Sequence, residues 1–161
     1  ALTGHLVLST LHTNDAPSAV TRLIDIGVQP FLIGATLLGV VAQRLVRILC
    51  PHCKQDGPLP EAAWRSLLGP QRSVLPPRYL VPVGCDECRH TGFRGRQGIY
   101  EVMRTNSALA ELIDGELQTA TLRRAALRQG MRPLRVAGAQ KVARGLTTVE
   151  EVIKVVPLAE A

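Results

Sequence analysis

Four cysteines in two Cys-x-x-Cys pairs are the residues whose type and spacing point most directly to chemistry. They are Cys50, Cys53, Cys85 and Cys88, and the chain has no other cysteine. Each pair lets two thiolates of one tight turn reach the same ion, so two pairs supply the four sulfurs of a tetrahedral zinc site. Because all four positions are filled by protein, we predict a structural zinc ion that stabilises the fold without explaining the function.

Two alternatives to this zinc site are a pair of disulfides and a dithiol redox pair. Nothing in the sequence marks a secreted chain, and two similar pairs fit a four-ligand site better than one redox motif does. His52 and His90 are further candidate ligands that could replace a sulfur. His52, however, lies inside the first turn and would compete with its flanking cysteines.

Two histidines near the start of the chain form the second candidate site. The apolar run Leu6-Val7-Leu8 predicts a strand covered on both faces, as in a parallel sheet between helices. His12 follows in a polar stretch at the carboxyl end of that strand, the edge where open α/β sheets bind ligands. His5 lies at the other end, where a structural hydrogen bond is the simpler interpretation. Taken alone, His12 is also more simply a capping or surface histidine.

The elements before the first cysteine pair are predicted to be two helices and a strand. Thr13-Asn14-Asp15 offers a cap for a short amphipathic helix. The run 31–42 is apolar on all sides but too short to span a bilayer, so it predicts a buried core helix. Gly34 and Gly39 have the glycine spacing of a phosphate-binding loop, but Val40-Val41 stand where Lys and Ser/Thr are needed. The chain therefore lacks a phosphate cradle of its own.

The remaining elements are short and follow turn and capping signals. Strands are predicted at 45–49 and 97–103, and Ile99 and Glu101 should share one face of the second strand while Tyr100 and Val102 share the other. Helices are predicted at 61–68, 119–129 and 134–144, with a further helix capped by Asn106 or Ser107 and a last one capped by Thr147 or Thr148. Breaks are expected at Gly69-Pro70, Pro76-Pro77 and Pro157. Arg123, Arg124 and Arg128 should form a solvated face.

Length and charge limit the classes of function. The 161 residues are 46% hydrophobic, enough to bury a core as one domain or one and a half. The net charge of +6 favours acidic partners such as nucleotide, an anionic membrane face or an acidic protein. Aromatics make up 3%, leaving few side chains for base stacking, so no nucleic-acid partner is expected. The chain opens on Ala1 without a signal peptide and is expected to be a piece of a longer protein.

Several stretches together resemble the secretion ATPases of the type II/type IV pilus superfamily. The opening Ala-Leu-Thr-Gly-His-Leu-Val-Leu-Ser-Thr-Leu-His-Thr-Asn-Asp-Ala is similar to the histidine box of that family. The segments 42–47, 84–88, 91–96 and 98–101 resemble the surroundings of its metal motif, and 145–152 resembles its C-terminal part. The four-cysteine element is typical of the type II secretion ATPases and pilus-extension ATPases rather than of retraction ATPases.

The resemblance implies an α/β fold: the C-terminal half of a RecA-like P-loop ATPase domain, with a four-cysteine zinc subdomain and a C-terminal helical region. It divides the chain into 1–49 for the ATPase core, 50–103 for the zinc subdomain with its following strand, and 104–161 for the helical region. The family binds ATP and Mg²⁺ through loops upstream of the histidine box. Those loops are absent here, so the isolated chain is expected to be inactive.

The implied function is that of a hexameric ATPase, peripheral to the cytoplasmic side of the inner membrane, that powers pseudopilus assembly in type II secretion. Its implied partners are an inner-membrane platform protein and the cytoplasmic domain of a membrane partner. In the family the histidine box lies near the γ-phosphate, which makes His12 a candidate sensor and His5 a supporting residue. The alternatives are a type IV pilus-extension ATPase and a zinc-stapled interaction module without catalysis.

Overall fold

The computed structural model describes residues 1–68 and 74–156. They form two compact units, each assembled from two segments of the chain. The first unit joins Ala1–Ala42 to Glu101–Arg132, and the second joins Gln43–Tyr100 to the segment from Pro133 onward. The division at 1–49, 50–103 and 104–161 follows sequence motifs rather than backbone contacts and stays a prediction.

Both units are mixed, with short helices and few strands. The helices are α1 (Ala16–Asp25), α2 (Pro30–Thr36), α3 (Glu61–Leu68), α4 (Ser107–Ala110), α5 (Thr119–Arg128), α6 (Leu134–Ala143) and α7 (Val149–Val155). The strands are β1 (Gly39–Leu49), β2 (Gln55–Asp56), β3 (Leu80–Val81) and β4 (Phe93–Arg104). β1 pairs with β4, and β2 pairs with β3 in an antiparallel arrangement.

Helix α1 forms where the capping signal predicts it. The Asp15 side chain accepts a hydrogen bond from the Ser18 N–H at 2.9 Å and so satisfies one of the unpaired donors of the first turn. Pro17 lies in that turn, where its missing N–H costs nothing. The buried face of α1 includes Ala19 and Val20, and it packs against α5.

The predicted core helix over 31–42 is wrong in its second half and in its burial. α2 ends at Thr36, and the chain then enters β1 at Gly39. Phe31 is 69% exposed and Val41 61% exposed, so the segment is not a buried helix. A run that is apolar throughout has no periodicity that would distinguish a helix from a strand. From Gly39 onward the chain is a strand because it pairs with β4. A Cβ on Gly39 would lie 2.8 Å from the Met103 carbonyl oxygen, so glycine allows the close approach.

The predicted strand over Leu6-Val7-Leu8 is also wrong. Residues 1–12 are exposed and adopt neither helix nor strand, and Leu8 is 88% exposed. A strand exists only where a neighbour accepts and donates its backbone hydrogen bonds. Within the described residues β1 pairs with β4 and β2 with β3, and neither sheet includes this segment.

Strand β4 and the later helices follow the sequence predictions closely. Ile99 and Glu101 are buried, whereas Tyr100 and Val102 are about half exposed, as the alternation predicts. The predicted helices at 61–68, 119–129 and 134–144 correspond to α3, α5 and α6.

Capping residues begin two further helices. Asn106 caps α4 by accepting the Leu109 N–H, and Thr148 caps α7 by accepting the Glu151 N–H. The second unit buries Trp64, Leu67, Val142 and Val152 where α3, α6 and α7 pack together.

The break at Pro76-Pro77 agrees with a stretch free of helix and strand. The breaks at Gly69-Pro70 and Pro157 lie outside the described residues. Every helix in the described part of the chain is too short or too polar to cross a membrane.

Candidate metal centre

The four cysteines come together in the second unit at one point. Their Sγ atoms all lie within 4.8 Å of one another. The Sγ atoms of Cys50 and Cys85 are 3.9 Å apart, and those of Cys53 and Cys88 are 3.8 Å apart. A tetrahedron with Zn–S bonds of about 2.3 Å has S···S edges of about 3.8 Å. These two S···S distances match that spacing, so the four sulfurs could hold a metal ion of this size.

The first cysteine pair is shaped by a short turn. The Lys54 N–H donates to the Cys50 carbonyl oxygen at 3.1 Å, which closes the turn between the two sulfurs. The Cys50 N–H donates to the Gly92 carbonyl oxygen at 2.9 Å. Because Gly92 follows the second pair, this bond ties the two turns together through the backbone.

The second pair lies on a single 3₁₀ turn at Asp86–Cys88, after which the chain reverses direction. The His90 N–H donates to the Cys85 carbonyl oxygen at 2.8 Å and closes the reversal. Gly92 has φ = 75°, and a Cβ there would lie 2.4 Å from the Pro82 Cβ. Glycine is therefore required both for the backbone conformation and for space.

Backbone N–H groups point at two of the sulfurs. Cys88 Sγ accepts from the N–H groups of Cys85 and Gly92, each at 3.2 Å, and Cys53 Sγ accepts from the Gly84 N–H at 3.3 Å. Burial acts to raise the pKa of the Cys88 thiol, but these backbone donors and the neighbouring thiols prevail and lower the pKa to about 6. Donors of this kind are the outer shell that supports metal-bound thiolates.

The pKa of Cys85 moves in the opposite direction. Burial, together with hydrogen bonds to the neighbouring thiols, raises the pKa of this thiol to about 11. Thiolates crowded at one point repel each other, so a charge on a neighbouring sulfur disfavours a second charge on Cys85. A divalent cation among them would remove that conflict.

The alternatives to a four-sulfur site find no support in the geometry. Sulfurs 3.8–3.9 Å apart are separated by about twice the length of a disulfide bond. The group that can hold a metal consists of the four cysteines and includes neither His52 nor His90. His52 is exposed, and His90 Nε2 lies 3.1 Å from Asp86 Oδ1.

The structure does not bring the two histidines of the second candidate site into contact with other functional groups. His12 and His5 are both exposed. The His5 Nδ1 lies 3.0 Å from the Thr3 hydroxyl, a local contact within the opening segment. Residues 6–8 form no strand, so the described residues do not include the sheet edge on which the argument for His12 depends. The roles of both histidines stay predictions.

The sequence interpretation missed the roles of two side chains that bind the start of α1, those of Arg123 and Glu101. Arg123 was predicted to be solvated, but it donates to the Asp15 carboxylate. Glu101 is predicted only to share a strand face with Ile99, and it accepts the Ala16 N–H at 2.8 Å. A carboxylate on the same strand face as the apolar Ile99 was the available signal for Glu101. The partners lie 85 and 108 residues apart, so the sequence offered no signal for the pairs themselves.

Comparison with known proteins identifies the family. The chain matches the model of the type II/IV secretion system protein family over residues 1–154. It is 56% identical over 158 residues to the type IV pilus assembly ATPase TfpB of Acinetobacter baylyi. It is 48% identical over 155 residues to the type II secretion system protein E of Pseudomonas aeruginosa, and 45% identical over 155 residues to the type II secretion system ATPase E of Vibrio cholerae. The chain belongs to the type II/IV secretion system protein family, as its motifs predict.

The matches cover nearly all of this chain but a minor part of each relative. They include 98% of the chain and 27% of the Acinetobacter protein, and 96% of the chain and 30% of each of the other two. The chain thus spans less than a third of the length of these relatives.

Proposed function

We propose that this chain is the C-terminal half of the RecA-like ATPase domain of a ring-forming ATPase that drives filament assembly at the inner membrane. The observation that carries the proposal is the 56% identity, across nearly the whole chain, to a protein named as a type IV pilus assembly ATPase. The parent protein would bind ATP and Mg²⁺ through segments outside this chain. It would act as a homo-hexamer on the cytoplasmic face of the membrane.

The parent protein could serve either of two filament systems, type II secretion or type IV pilus extension. The sequence motifs favoured pseudopilus assembly in type II secretion, and the 48% identity to a type II secretion protein E supports it. The higher identity to the pilus assembly ATPase favours pilus extension, and we place that system first. In either system the expected partners are an inner-membrane platform protein and the cytoplasmic domain of a membrane partner.

The metal we propose for the four-cysteine centre is zinc, held by Cys50, Cys53, Cys85 and Cys88. Four thiolates at tetrahedral spacing are the donor set of structural zinc. The ion would link the two turns into one rigid element and would take no part in chemistry, since the four sulfurs leave no open position for a substrate.

The role we propose for His12 is that of a sensor of the γ-phosphate in the parent protein, with His5 in support. An imidazole N–H can donate to a phosphate oxygen and lose that bond when the phosphate leaves. His12 precedes the start of α1 by four residues, which places a change at the histidine next to a helix of the first unit.

The test is a deletion of the parent gene in its native host, complemented by the wild-type gene and by a His12→Ala version. Loss of surface pili with normal exoprotein release supports pilus extension, whereas retention of exoproteins in the periplasm supports type II secretion. Steady-state ATP hydrolysis by the purified parent is measured alongside. A parent that hydrolyses no ATP, or a deletion that leaves both systems intact, contradicts the proposed function.

A further inference from the structure

The residue that caps α1 is itself held by a second helix. Asp15 Oδ1 accepts the Ser18 N–H at 2.9 Å, while its Oδ2 accepts a hydrogen bond from the Arg123 guanidinium on α5. The Asp15 side chain is 17% exposed and that of Arg123 is 38% exposed, so solvent screens this ion pair only in part. Asp15 therefore satisfies an N–H of the first turn of α1 and also links that turn to α5.

A buried carboxylate holds the next residue of the same turn. Glu101 on β4 is 2% exposed, and its Oε1 accepts the Ala16 N–H at 2.8 Å. Ala16 is fully buried, so this N–H has no access to water. Burying a carboxylate is costly unless hydrogen bonds compensate it. The hydrogen bond to Glu101 therefore fixes the backbone of Ala16 against β4.

The backbone before this point is in a different environment. Residues 1–12 are exposed, and the bond between Thr3 and His5 is local. The backbone held by the contacts of Arg123 and Glu101 includes Asp15, three residues after His12. Three residues span at most about 10 Å of extended chain, so the anchor at Asp15 restricts where the imidazole can lie.

We propose that Asp15, Arg123 and Glu101 form a clamp that positions His12 for its contact with the γ-phosphate in the parent protein. The inference rests on the proposed function, since it assumes that His12 meets the nucleotide. The three residues are positioning residues that act through His12 and do not touch the phosphate. Small displacements of a group that meets the transition state reduce rate far more than they reduce binding.

The experiment uses the full-length parent protein and measures kcat, KM for ATP and the melting temperature of each variant. Asp15→Asn keeps an acceptor for the Ser18 N–H but loses the charge that holds Arg123. Arg123→Ala removes the other partner. Each should lower kcat on the order of tenfold, with KM for ATP changed by less than about twofold, because a displaced imidazole loses more of its contact in the transition state than in bound ATP. The double variant should be no slower than the slower single variant, because both remove one interaction.

Two controls separate positioning from stability. Arg123→Lys keeps the charge and should recover at least about half of the lost turnover if the ion pair is what matters. Arg124→Ala changes the neighbouring arginine, whose guanidinium bonds to Thr121 on its own helix, and should leave kcat unchanged. A purely structural role would lower the melting temperature and the yield of folded protein while leaving turnover per folded molecule intact.

The decisive comparison places Arg123→Ala in a His12→Ala background. If the clamp acts through His12, the second substitution should lower kcat no further. Normal kcat in the Arg123→Ala parent, or a loss that adds in full to the loss from His12→Ala, overturns the clamp while leaving the proposed function standing. Normal turnover in the His12→Ala parent removes both the sensor and the clamp, and a parent inactive towards ATP removes the proposed function itself.

Discussion

Glu151 is a buried charged residue of the second unit, paired with Arg47. Its two carboxylate oxygens accept hydrogen bonds from Nε and Nη2 of Arg47, at 2.8 and 2.5 Å. The Arg47 guanidinium also lies 4.1 Å from the centre of the Phe93 ring. The hydrogen bond from Arg47 lowers the pKa of Glu151 below its ordinary value of 4.5 and outweighs the opposing effect of burial. Ionised Glu151 is therefore favoured in the folded chain.

We predict that Glu151→Gln lowers the free energy of unfolding at neutral pH by about 1–2 kcal/mol. Gln has one oxygen in place of two and carries no charge, so it cannot replace the paired bonds to Arg47. The folded pKa lies below the unfolded one, so the stabilisation is present above the unfolded pKa and is lost as pH falls through the folded pKa. The difference in the free energy of unfolding between wild type and variant should therefore decrease in acid. It is measured by urea unfolding at neutral pH and at the lowest pH at which both chains stay folded.

A matched control for this prediction is Glu61→Gln, which removes another Glu–Arg pair. Glu61 and Arg65 lie four residues apart on α3, and both side chains are more than half exposed. Such surface pairs contribute about 0.3–0.5 kcal/mol. A loss for Glu151→Gln no greater than that of Glu61→Gln, or a loss independent of pH, would contradict the assignment.

For single residues, the sequence predicts contacts between near neighbours but not contacts between residues far apart along the chain. The four metal-binding candidates were identifiable because each Cys-x-x-Cys pair is local and leaves no cysteine over. The Asp15 cap was identifiable because its acceptor role involves the following three residues. Arg47 and Glu151 lie 104 residues apart, and their pairing depends on a fold that one sequence does not specify locally.

Among the elements, α6 and α7 are packed closely enough that one glycine is required for space. A Cβ on Gly138 of α6 would lie 2.4 Å from Cγ1 and 3.0 Å from Cγ2 of Val152 on α7. Val152 is fully buried and its branched side chain has little freedom to turn away. The contact between these helices is therefore set by the absence of a side chain.

We predict that Gly138→Ala destabilises the chain by about 1–3 kcal/mol through overpacking, although Ala favours a helix over Gly by about 1 kcal/mol. Chemical unfolding of Gly138→Ala, Val152→Ala and the double variant tests it. Gly138→Ala should lower the free energy of unfolding by less in a Val152→Ala background, because the clashing methyl groups are then absent. Gly115→Ala is the control, since no atom lies within 4 Å of its added Cβ. A stabilised Gly138→Ala chain would show that α6 and α7 tolerate a wider separation.

The metal element should be needed for the order of the turns that build it. We predict about one zinc ion per chain bound through sulfur, and its loss in Cys85→Ser, with looser structure between the two cysteine pairs. Metal analysis and amide exchange measure the two effects. His52→Ala is the control, because His52 is exposed and lies outside the sulfur cluster. Absence of zinc from the folded chain, with four freely titratable thiols, contradicts the assignment.

Elements with local start and stop signals were predicted well, and elements without them were not. α3 and α6 lie between prolines and glycines, whose effects act over a few residues. The segments 6–8 and 31–42 carry continuous apolar runs instead. Such runs are compatible with a helix, a buried strand or an unpaired segment, and a partner elsewhere decides among them.

For the molecule as a whole, the proposed activity depends on parts of the parent protein that this chain does not contain. Phosphates and Mg²⁺ are held in P-loop ATPases by a glycine loop ending in Lys and Ser/Thr. The nearest match here, at Gly34 and Gly39, has Val40 and Val41 at those positions. The structure also places Gly39 at the start of β1, paired with β4, rather than in a loop before a helix.

We therefore predict that the isolated chain neither binds Mg-ATP tightly nor hydrolyses it. Isothermal titration of the folded, metal-loaded chain should show no saturable binding at micromolar nucleotide, and release of phosphate should match the buffer blank. The full-length parent, measured under the same conditions, is the control and should bind and turn over ATP. The melting temperature of the isolated chain should likewise be unchanged by excess Mg-ATP, because a ligand stabilises a fold only when it binds the folded state. Micromolar affinity in the isolated chain would locate a nucleotide site among these 161 residues and would contradict the placement of the phosphate cradle upstream.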